Sequence, residues 1–461
     1  MRLTVIGCGY LGAVHASAMA DLGHHVLGVE TDPARLALLA RGQAPFYEPG
    51  LDELLRRGAR TGRLRYTAEL DGAAARADVH FLAVGTPQSP SGRGADLSHL
   101  WRAVDSLAEA LPRCIRPDGL PLVVGKSTVP VGTAQQVADR LAGRALVVWN
   151  PEFLREGMAV ADTLRPDRIV YGLPAEPARA ERARAVLDEV YAPILEAGAP
   201  RLTMGYQTAE LVKTAANAFL ATKISFINAM SALCAATGAD VTVLADAIGR
   251  DARIGPHFLR AGLGFGGGCL PKDLRGLEQR AAELGANGLA SFLGRVDSIN
   301  RGQRDRVTQM ALEALGPDAA GRAVTILGIT FKPDSDDLRD SPVLEVALRL
   351  ADAGAVVTVH DPRGLAGLRR LHPVLRTQPD ALRALEGAEL VILGTEWKEL
   401  TDLDPEAAAA RVARPVLIDA RNALTPSRWT AAGWDYRGIG RPSGPRRSAP
   451  RHRALAGTMV G

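Results

Sequence analysis

The sequence predicts an α/β protein, with two doubly wound parallel sheets joined by a long central helix and a helical middle region. Three observations predict it. From Leu3 onward, short apolar strands alternate with helical stretches. The same alternation restarts near Gly321. Between the two series, residues 203–237 are dense in apolar residues and contain no proline, which reads as one long helix. A chain of 461 residues holds two or three domains. The expected units are 1–202, 203–310 and 311–440, followed by a basic tail at 441–461.

The first strand, at 3–7, runs into Gly7-Cys-Gly-Tyr-Leu-Gly12, and an alanine-rich helix leads to a second strand at 25–29. In this βαβ unit Gly7 allows the tight turn. Gly9 lets the backbone approach a pyrophosphate at the helix N-terminus, and Gly12 lets helix pack on strand. About 20 residues on, Glu30 is placed to bind ribose hydroxyls, and an acid there favours NAD over NADP. Further strands read at 79–84, 121–124, 145–149 and 168–171. Ligands gather at the carboxyl ends of such strands. Three of those ends carry polar segments: Gly85-Thr-Pro-Gln88, Lys126-Ser-Thr-Val-Pro-Val-Gly-Thr133 and Asn150-Pro-Glu-Phe-Leu-Arg-Glu-Gly157. Thr86, Thr128, Glu152 and Glu156 are expected to face the cofactor and its reaction partner.

On the long helix, Lys213 and Asn217 lie four apart on one face, and Asn228 continues the stripe. Lys213 sits among Leu211, Val212, Ala215 and Ala216, so it is expected to be partly buried with a partner or a task. A helix of this length also suits a dimer surface. Next comes Gly262-Leu-Gly-Phe-Gly-Gly-Gly-Cys-Leu-Pro-Lys-Asp273, with five glycines in seven residues before the cysteine. Such glycine density lets backbone come close to a bulky ligand. Most free cysteines are small core residues. This one reads as a presented nucleophile, whose pKa Lys272 or another nearby lysine is expected to lower.

The second sheet is expected at 323–327, 356–359, 390–393, 416–418 and 436–439. Its first turn, Gly328-Ile-Thr-Phe-Lys-Pro333, lacks the three-glycine fingerprint and carries Lys332, which suits a different phosphate ligand. Lys332, Arg339 and Arg421 gather at its strand ends.

Charge and cysteines narrow the class. The sequence pI is about 9.0, yet 441–461 carry five arginines and no acid, and without them the net charge of +4 becomes 4 − 5 = −1. The body is therefore not basic, and no nucleic-acid partner is expected. The four cysteines, Cys8, Cys114, Cys234 and Cys269, show no disulfide or metal spacing, so no metal is expected. No signal-peptide pattern and no apolar run of about 18 residues is read. The expectation is a cytoplasmic chain without a membrane span, with its tail disordered.

Taken together, the segments at 126–133, 150–157 and 264–273, with Phe331-Lys-Pro-Asp-Ser-Asp-Asp-Leu-Arg339, resemble the UDP-glucose/GDP-mannose dehydrogenase family from Met1 to about Gly440. The resemblance implies a four-electron oxidation of a nucleotide-sugar C6 alcohol to a carboxylate, using two NAD in succession and an intermediate bound to Cys269. It implies Rossmann-type sheets for NAD and for the nucleotide sugar, and a homodimer. UDP-glucose is the expected substrate. GDP-mannose or a UDP-N-acetylhexosamine is the alternative.

By the same likeness Lys213 and Asn217 donate to oxyanions, Asp273 and Thr128 hold a water, and Glu152 is the base for hydrolysis. Tyr10, Leu11, Glu156 and Lys272 join the glycines, Glu30 and Thr86 around NAD. Phe153, Leu154, Glu156, Phe265, Gly266, Phe331, Lys332 and Arg421 would meet the sugar nucleotide. Arg253 would reach a neighbouring subunit's site. Gly268 and Leu270 depart from the family's serine and phenylalanine beside the cysteine, and Ala229 from its glutamate after Asn228. The first two bear on the choice of sugar.

Overall fold

The computed structural model describes residues 1–70, 76–90, 94–111 and 119–442. Cys114 and residues 443–461, with most of the basic tail, lie outside them. The first sheet has eight strands: β1 Arg2–Ile6, β2 His25–Val29, β3 Leu64–Thr67, β4 Val79–Leu82, β5 Leu122–Gly125, β6 Leu146–Trp149, β7 Ile169–Leu173 and β8 Arg201–Gly205. Their order is β3-β2-β1-β4-β5-β6-β7-β8. All pairs are parallel except β6 with β7, which meet at the single antiparallel pair Trp149 and Gly172. Central strands such as β4 to β6 are buried throughout, because apolar clusters cover both faces of the sheet.

The second sheet holds β9 Ala323–Leu327, β10 Val356–His360, β11 Arg376–Thr377, β12 Leu390–Leu393, β13 Val416–Asp419 and β14 Asp435–Gly438. The order is β11-β10-β9-β12-β13-β14, all parallel. Each sheet reverses its winding direction once at a central pair, β1 beside β4 and β9 beside β12, so each has a switch point where a crevice opens. The turns after β1 and β9 stand at those crevices.

Three strands have no counterpart among the expected ones. In β8 four of five residues are exposed, and backbone pairing with β7 from Ile169–Arg201 to Leu173–Gly205 holds the strand in place. The expected helix therefore starts at Tyr206 instead of Thr203, with Gly205 extended as its cap. The short edge strands β3 and β11 are the other two.

This spine helix, Tyr206–Thr237, packs against Leu270–Glu283, which the cysteine precedes, and against the return helix Asn287–Leu315. By length and composition, 32 residues containing an 18-residue window of mean hydropathy 1.4, the spine is long and apolar enough to cross a membrane, which the sequence does not lead one to expect. It buries Glu210, Lys213 and Asn228, and its small apolar residues form a core with Phe265, Leu274, Leu293 and Val296. Those contacts are the marks of a core helix.

The fingerprint turn shows why it is written in glycine. Gly7 lies at φ 87°, and a Cβ there would stand 2.7 Å from Val84 Cα. A Cβ on Gly12 would stand 1.8 Å from the Gly7 carbonyl oxygen. A Cβ on Gly9 would meet nothing within 4 Å, so space is reserved there for something outside the fold. Gly12→Ala should therefore cost about 1–3 kcal/mol of stability in denaturant titration. Gly9→Ala should stay within about 0.5 kcal/mol of the parent and weaken dinucleotide binding. Equal stability losses at both positions would contradict this division.

Candidate active site

One cavity of about 780 Å3 runs from the fingerprint turn to the glycine stretch. At one end Gly7, Gly9, Tyr10, Leu11, Glu30 and Thr86 line it, while Gly12 lies beneath the turn. Glu30 is buried and pairs with Arg35 at 3.0 Å. The Thr86 hydroxyl donates to the Thr128 carbonyl at 2.7 Å, tying two strand-end loops together. The reserved space at Gly9, the helix N-terminus behind it and the acid at the end of β2 fit a dinucleotide.

At the other end, Cys269 caps the helix Leu270–Glu283, and two polar pairs from the spine helix stand around it. Lys213 Nζ lies 2.9 Å from Glu152 Oε1, with side-chain exposures of 6% and 13%. Asn217 Nδ2 donates to Asp273 Oδ2 at 2.6 Å. The four-residue spacing thus sends Lys213 to the loop after β6 and Asn217 to the cysteine helix. Lys272 Nζ stands 2.8 Å from Asp273 Oδ1 as an ion pair, off hydrogen-bond geometry. Removing one member of a buried pair such as Lys213–Glu152 typically costs about 3–5 kcal/mol, so the pair is structural as well as chemical.

Electrostatics sorts the groups. Burial alone would lower Lys213, but Glu152, then Asp273 and the Cys269 site, push it up, so it stays an ammonium. Cys269 goes the other way from expectation: enclosure in the cleft, then the charge of Glu152, push its thiol up to about 12 against the opposing pull of Lys213. Lys272, engaged with Asp273, is not among the groups that lower it. The residue is exposed to cleft solvent. Complete burial is therefore not its state, and the carboxylates are the durable part of the rise. Glu156 is raised to about 7 by burial and then by Asp337, opposed by Arg339 and Lys332.

Glu156 also joins the two sheets. Arg339 Nη2 reaches its Oε1 at 3.2 Å, and Lys332 Nζ donates to its carbonyl oxygen. Arg339 lies against the Gly268 backbone, where a Cβ would stand 2.5 Å from its guanidinium carbon. Sequence reasoning noted Arg339 only as one basic residue among several. It also passed over Arg35, Lys126 and Glu48. The Glu48 carboxylate accepts from Gly157 N and Ala159 N, both at 2.7 Å, and from the Tyr10 hydroxyl. The run Tyr47-Glu-Pro-Gly50 before a helix was the available signal, because a buried acid ahead of a turn needs donors.

The other residues singled out in the sequence fall in several places. Leu154 lines the cleft, and its N–H donates to Glu152 Oε2 at 2.7 Å. Phe153 lies under Arg168, 3.9 Å from its ring centroid. The Phe265 side chain is in the core with Leu274 and Leu293, while its N–H and carbonyl are held by Asn300. Gly266 passes so near Asp340 that a Cβ would stand 2.3 Å from its carbonyl. Phe331 packs on Gly267, with Lys332 Nζ 5.5 Å from its ring centroid. Arg421 is buried and donates to the carbonyls of Gly394, Gly264 and Phe331 at 2.7, 3.0 and 3.1 Å. Arg253 stands apart, 89% exposed and paired with Asp251. Among the described residues no cluster suited to a metal ion occurs.

Known proteins resemble this chain along most of its length. Models of the UDP-glucose/GDP-mannose dehydrogenase family match in three parts: the NAD binding domain at 1–195, the central domain at 207–302 and the UDP binding domain at 325–426. The chain is 40% identical over 447 residues to a UDP-glucose 6-dehydrogenase of Rhizobium meliloti, covering 96% of this chain and 100% of that one. It is 41% identical to the UDP-glucose 6-dehydrogenase of Pseudomonas aeruginosa, covering 96% of this chain and 98% of the relative. A solved UDP-glucose dehydrogenase from Pyrobaculum islandicum superposes with a TM-score of 0.85 at 38% identity, covering 95% of this chain and 98% of that one. A solved UDP-D-ManNAc dehydrogenase from Pyrococcus horikoshii gives 0.81 at 25% identity, covering 96% and 100%. With a dinucleotide turn, a cysteine at a helix N-cap and a second sheet in this order, the chain belongs to the UDP-glucose/GDP-mannose dehydrogenase family as an NAD-dependent oxidoreductase.

Proposed function

We propose that this chain oxidises UDP-glucose at C6 to UDP-glucuronate in two NAD-dependent steps, through a thiohemiacetal and then a thioester on Cys269. The observation that carries the reading is that Cys269 opens on the same cleft as the Gly9 turn, flanked by Lys213–Glu152 and Asn217–Asp273. The names of the relatives at 38–41% identity support UDP-glucose over other nucleotide sugars.

NAD, when bound, accepts a hydride in each oxidation. Asp273 and Thr128 hold the water that takes the C6 hydroxyl proton. The Cys269 sulfur then bonds to the aldehyde carbon, with its thiol proton passing to the carbonyl oxygen, and the aldehyde is retained. Lys213 and Asn217 donate to that oxygen, where negative charge develops. In the second oxidation the thiohemiacetal hydroxyl proton goes to the same water as the hydride leaves. Glu152 then takes one proton from the attacking water, the C–S bond breaks with its electron pair on sulfur, the remaining water proton passes to that sulfur to restore the thiol, and the carboxylate forms. Glu156, Phe331, Lys332 and Arg421, with Leu154 and the backbone of Phe265 and Gly266, hold the sugar nucleotide. Residues 1–202, 203–310 and 311–440 then act as the cofactor, reaction and nucleotide-sugar units.

We also assign a homodimer as the working form. On the spine helix Phe219, Phe226 and Leu233 recur every seventh residue and are 67%, 52% and 54% exposed. Such a stripe suits a second copy, towards which Arg253 would extend. Phe226→Glu should convert a sedimenting dimer to monomer, and a parent chain that sediments as a monomer would overturn this.

Further outcomes test the chemistry. Cys269→Ser should abolish net turnover, and Glu152→Gln should slow it by about 10²- to 10⁴-fold while an adduct on Cys269 accumulates by intact mass. Parent-level turnover in either variant would refute the mechanism. In the ligand-free chain, alkylation of Cys269 should keep rising with pH past about 10, because the raised thiol stays protonated, whereas an ordinary thiol is half ionised at about 8.5 and has levelled off by about 10. Glu152→Gln removes the leading negative charge and should move that curve to lower pH.

A further inference from the structure

Behind the loop after β6 lies a second cavity of about 70 Å3, and Glu152 lines both it and the main cleft. One carboxylate therefore separates the cysteine from a pocket that the chemistry so far leaves unused. The inner wall is Lys126, Asn150, Tyr191 and His15, while Asp162 and Asp167 lie towards the surface.

The inner wall is an unusual place for a charge. Lys126 is buried, and its ammonium has only neutral partners in reach, Asn150 Oδ1 at 2.9 Å and the Tyr191 hydroxyl at 3.4 Å. Among the described residues no carboxylate lies within ion-pair distance of it. A buried ammonium without a counter-ion costs several kcal/mol, a burden rarely kept without a task. His15, 1% exposed on the same wall, has an Nε2 with no partner. The volume exceeds what one water requires, and the wall supplies donors and acceptors for more than one.

We propose that this cavity is the route by which protons leave Glu152, and that Lys126 is the positioning residue that orders its water and favours the return of Glu152 to a carboxylate. The inference rests on Glu152 being the base for thioester hydrolysis. Each hydrolysis passes one O–H proton of the attacking water to Glu152, while the C–S electron pair leaves on sulfur and the second water proton restores the thiol, so the proton on Glu152 is the one in surplus. Before the next turnover that proton must go, and the cleft face of Glu152 is occupied by Lys213 and the reacting groups. The second face opens on the cavity, where the proton passes to water and out past Asp162 and Asp167. Burial lowers Lys126 to about 8 while Glu152 pulls it upward, which marks the two groups as electrostatically linked. The other charged or titratable groups on this path are Arg155, paired with Asp162 at 2.7 Å, Arg168 over Phe153, His15 from the first helix and Tyr191 beyond β7, with Lys213 on the far side of Glu152.

The test uses the full chain with UDP-glucose and NAD. Lys126→Met removes the charge, and Thr163→Phe, on the cavity wall and outside the catalytic machinery, obstructs the route. Each should leave the first NADH at the parent rate, cut steady turnover roughly tenfold, let the Cys269 adduct accumulate and raise the D2O effect on turnover. A purely structural role would slow the first NADH equally. Thr163→Phe decides alone if Lys126→Met does not fold. A folded variant with parent turnover and no adduct overturns the route. A parent enzyme that yields one NADH per substrate and never carries an adduct overturns instead the reading beneath it.

Discussion

The site depends on one buried ion pair. Lys213 comes from the spine helix and Glu152 from the loop after β6, and at 2.9 Å each justifies the burial of the other. Without Glu152 the Lys213 ammonium would be driven towards neutrality by its surroundings. Without Lys213 the mostly buried carboxylate would lack its counter-ion. The pair therefore fixes the distance between the helical middle and the first sheet, and Cys269 is held in the space it defines. Its cost also explains why the cysteine is not pre-ionised. The same carboxylates that keep Lys213 charged keep the thiol protonated, which protects it until an electrophilic carbon arrives.

Around that pair, irregular backbone is pinned by polar side chains sent from regular elements. Asn228 accepts from Gly262 N at 2.9 Å, and Asn300 closes two hydrogen bonds on Phe265. Glu210 accepts from Gly132 N and Ala134 N at 2.7 and 2.6 Å, fixing the loop that carries Thr128. Arg421 ties Gly264, Phe331 and Gly394 into one knot. Buried backbone groups must be satisfied, and glycine loops cannot satisfy their own. Both long helices spend interior positions on this task.

That expenditure also decides what was legible in the sequence. The buried parallel strands and the fingerprint were plain, because both are local signals: apolar runs and glycines at fixed spacing. Lys213 and Asn217 were readable as a pair because helical spacing is local too. The return helix Asn287–Leu315 was not identified, since Asp297, Asn300, Gln303 and Arg304 fill its buried face and break the apolar period. Edge strand β8 was hidden for a related reason, being held by backbone pairing and not by side-chain burial. Glu48, Arg339 and Lys126 act across long sequence separations, and no pattern along the chain reports which carbonyl or carboxylate a distant residue will meet. The thiol's raised pKa was illegible likewise: the neighbouring lysine in sequence is committed to Asp273, and the carboxylates that matter arrive from elsewhere in the fold.

The central claim is that one cleft performs both oxidations before product leaves, and the most direct measurement is NADH formed per UDP-glucose consumed by the purified chain. The account predicts two, with no free aldehyde trapped by added semicarbazide. A ratio of one, with aldehyde released, would contradict it and leave Cys269 as a structural cap.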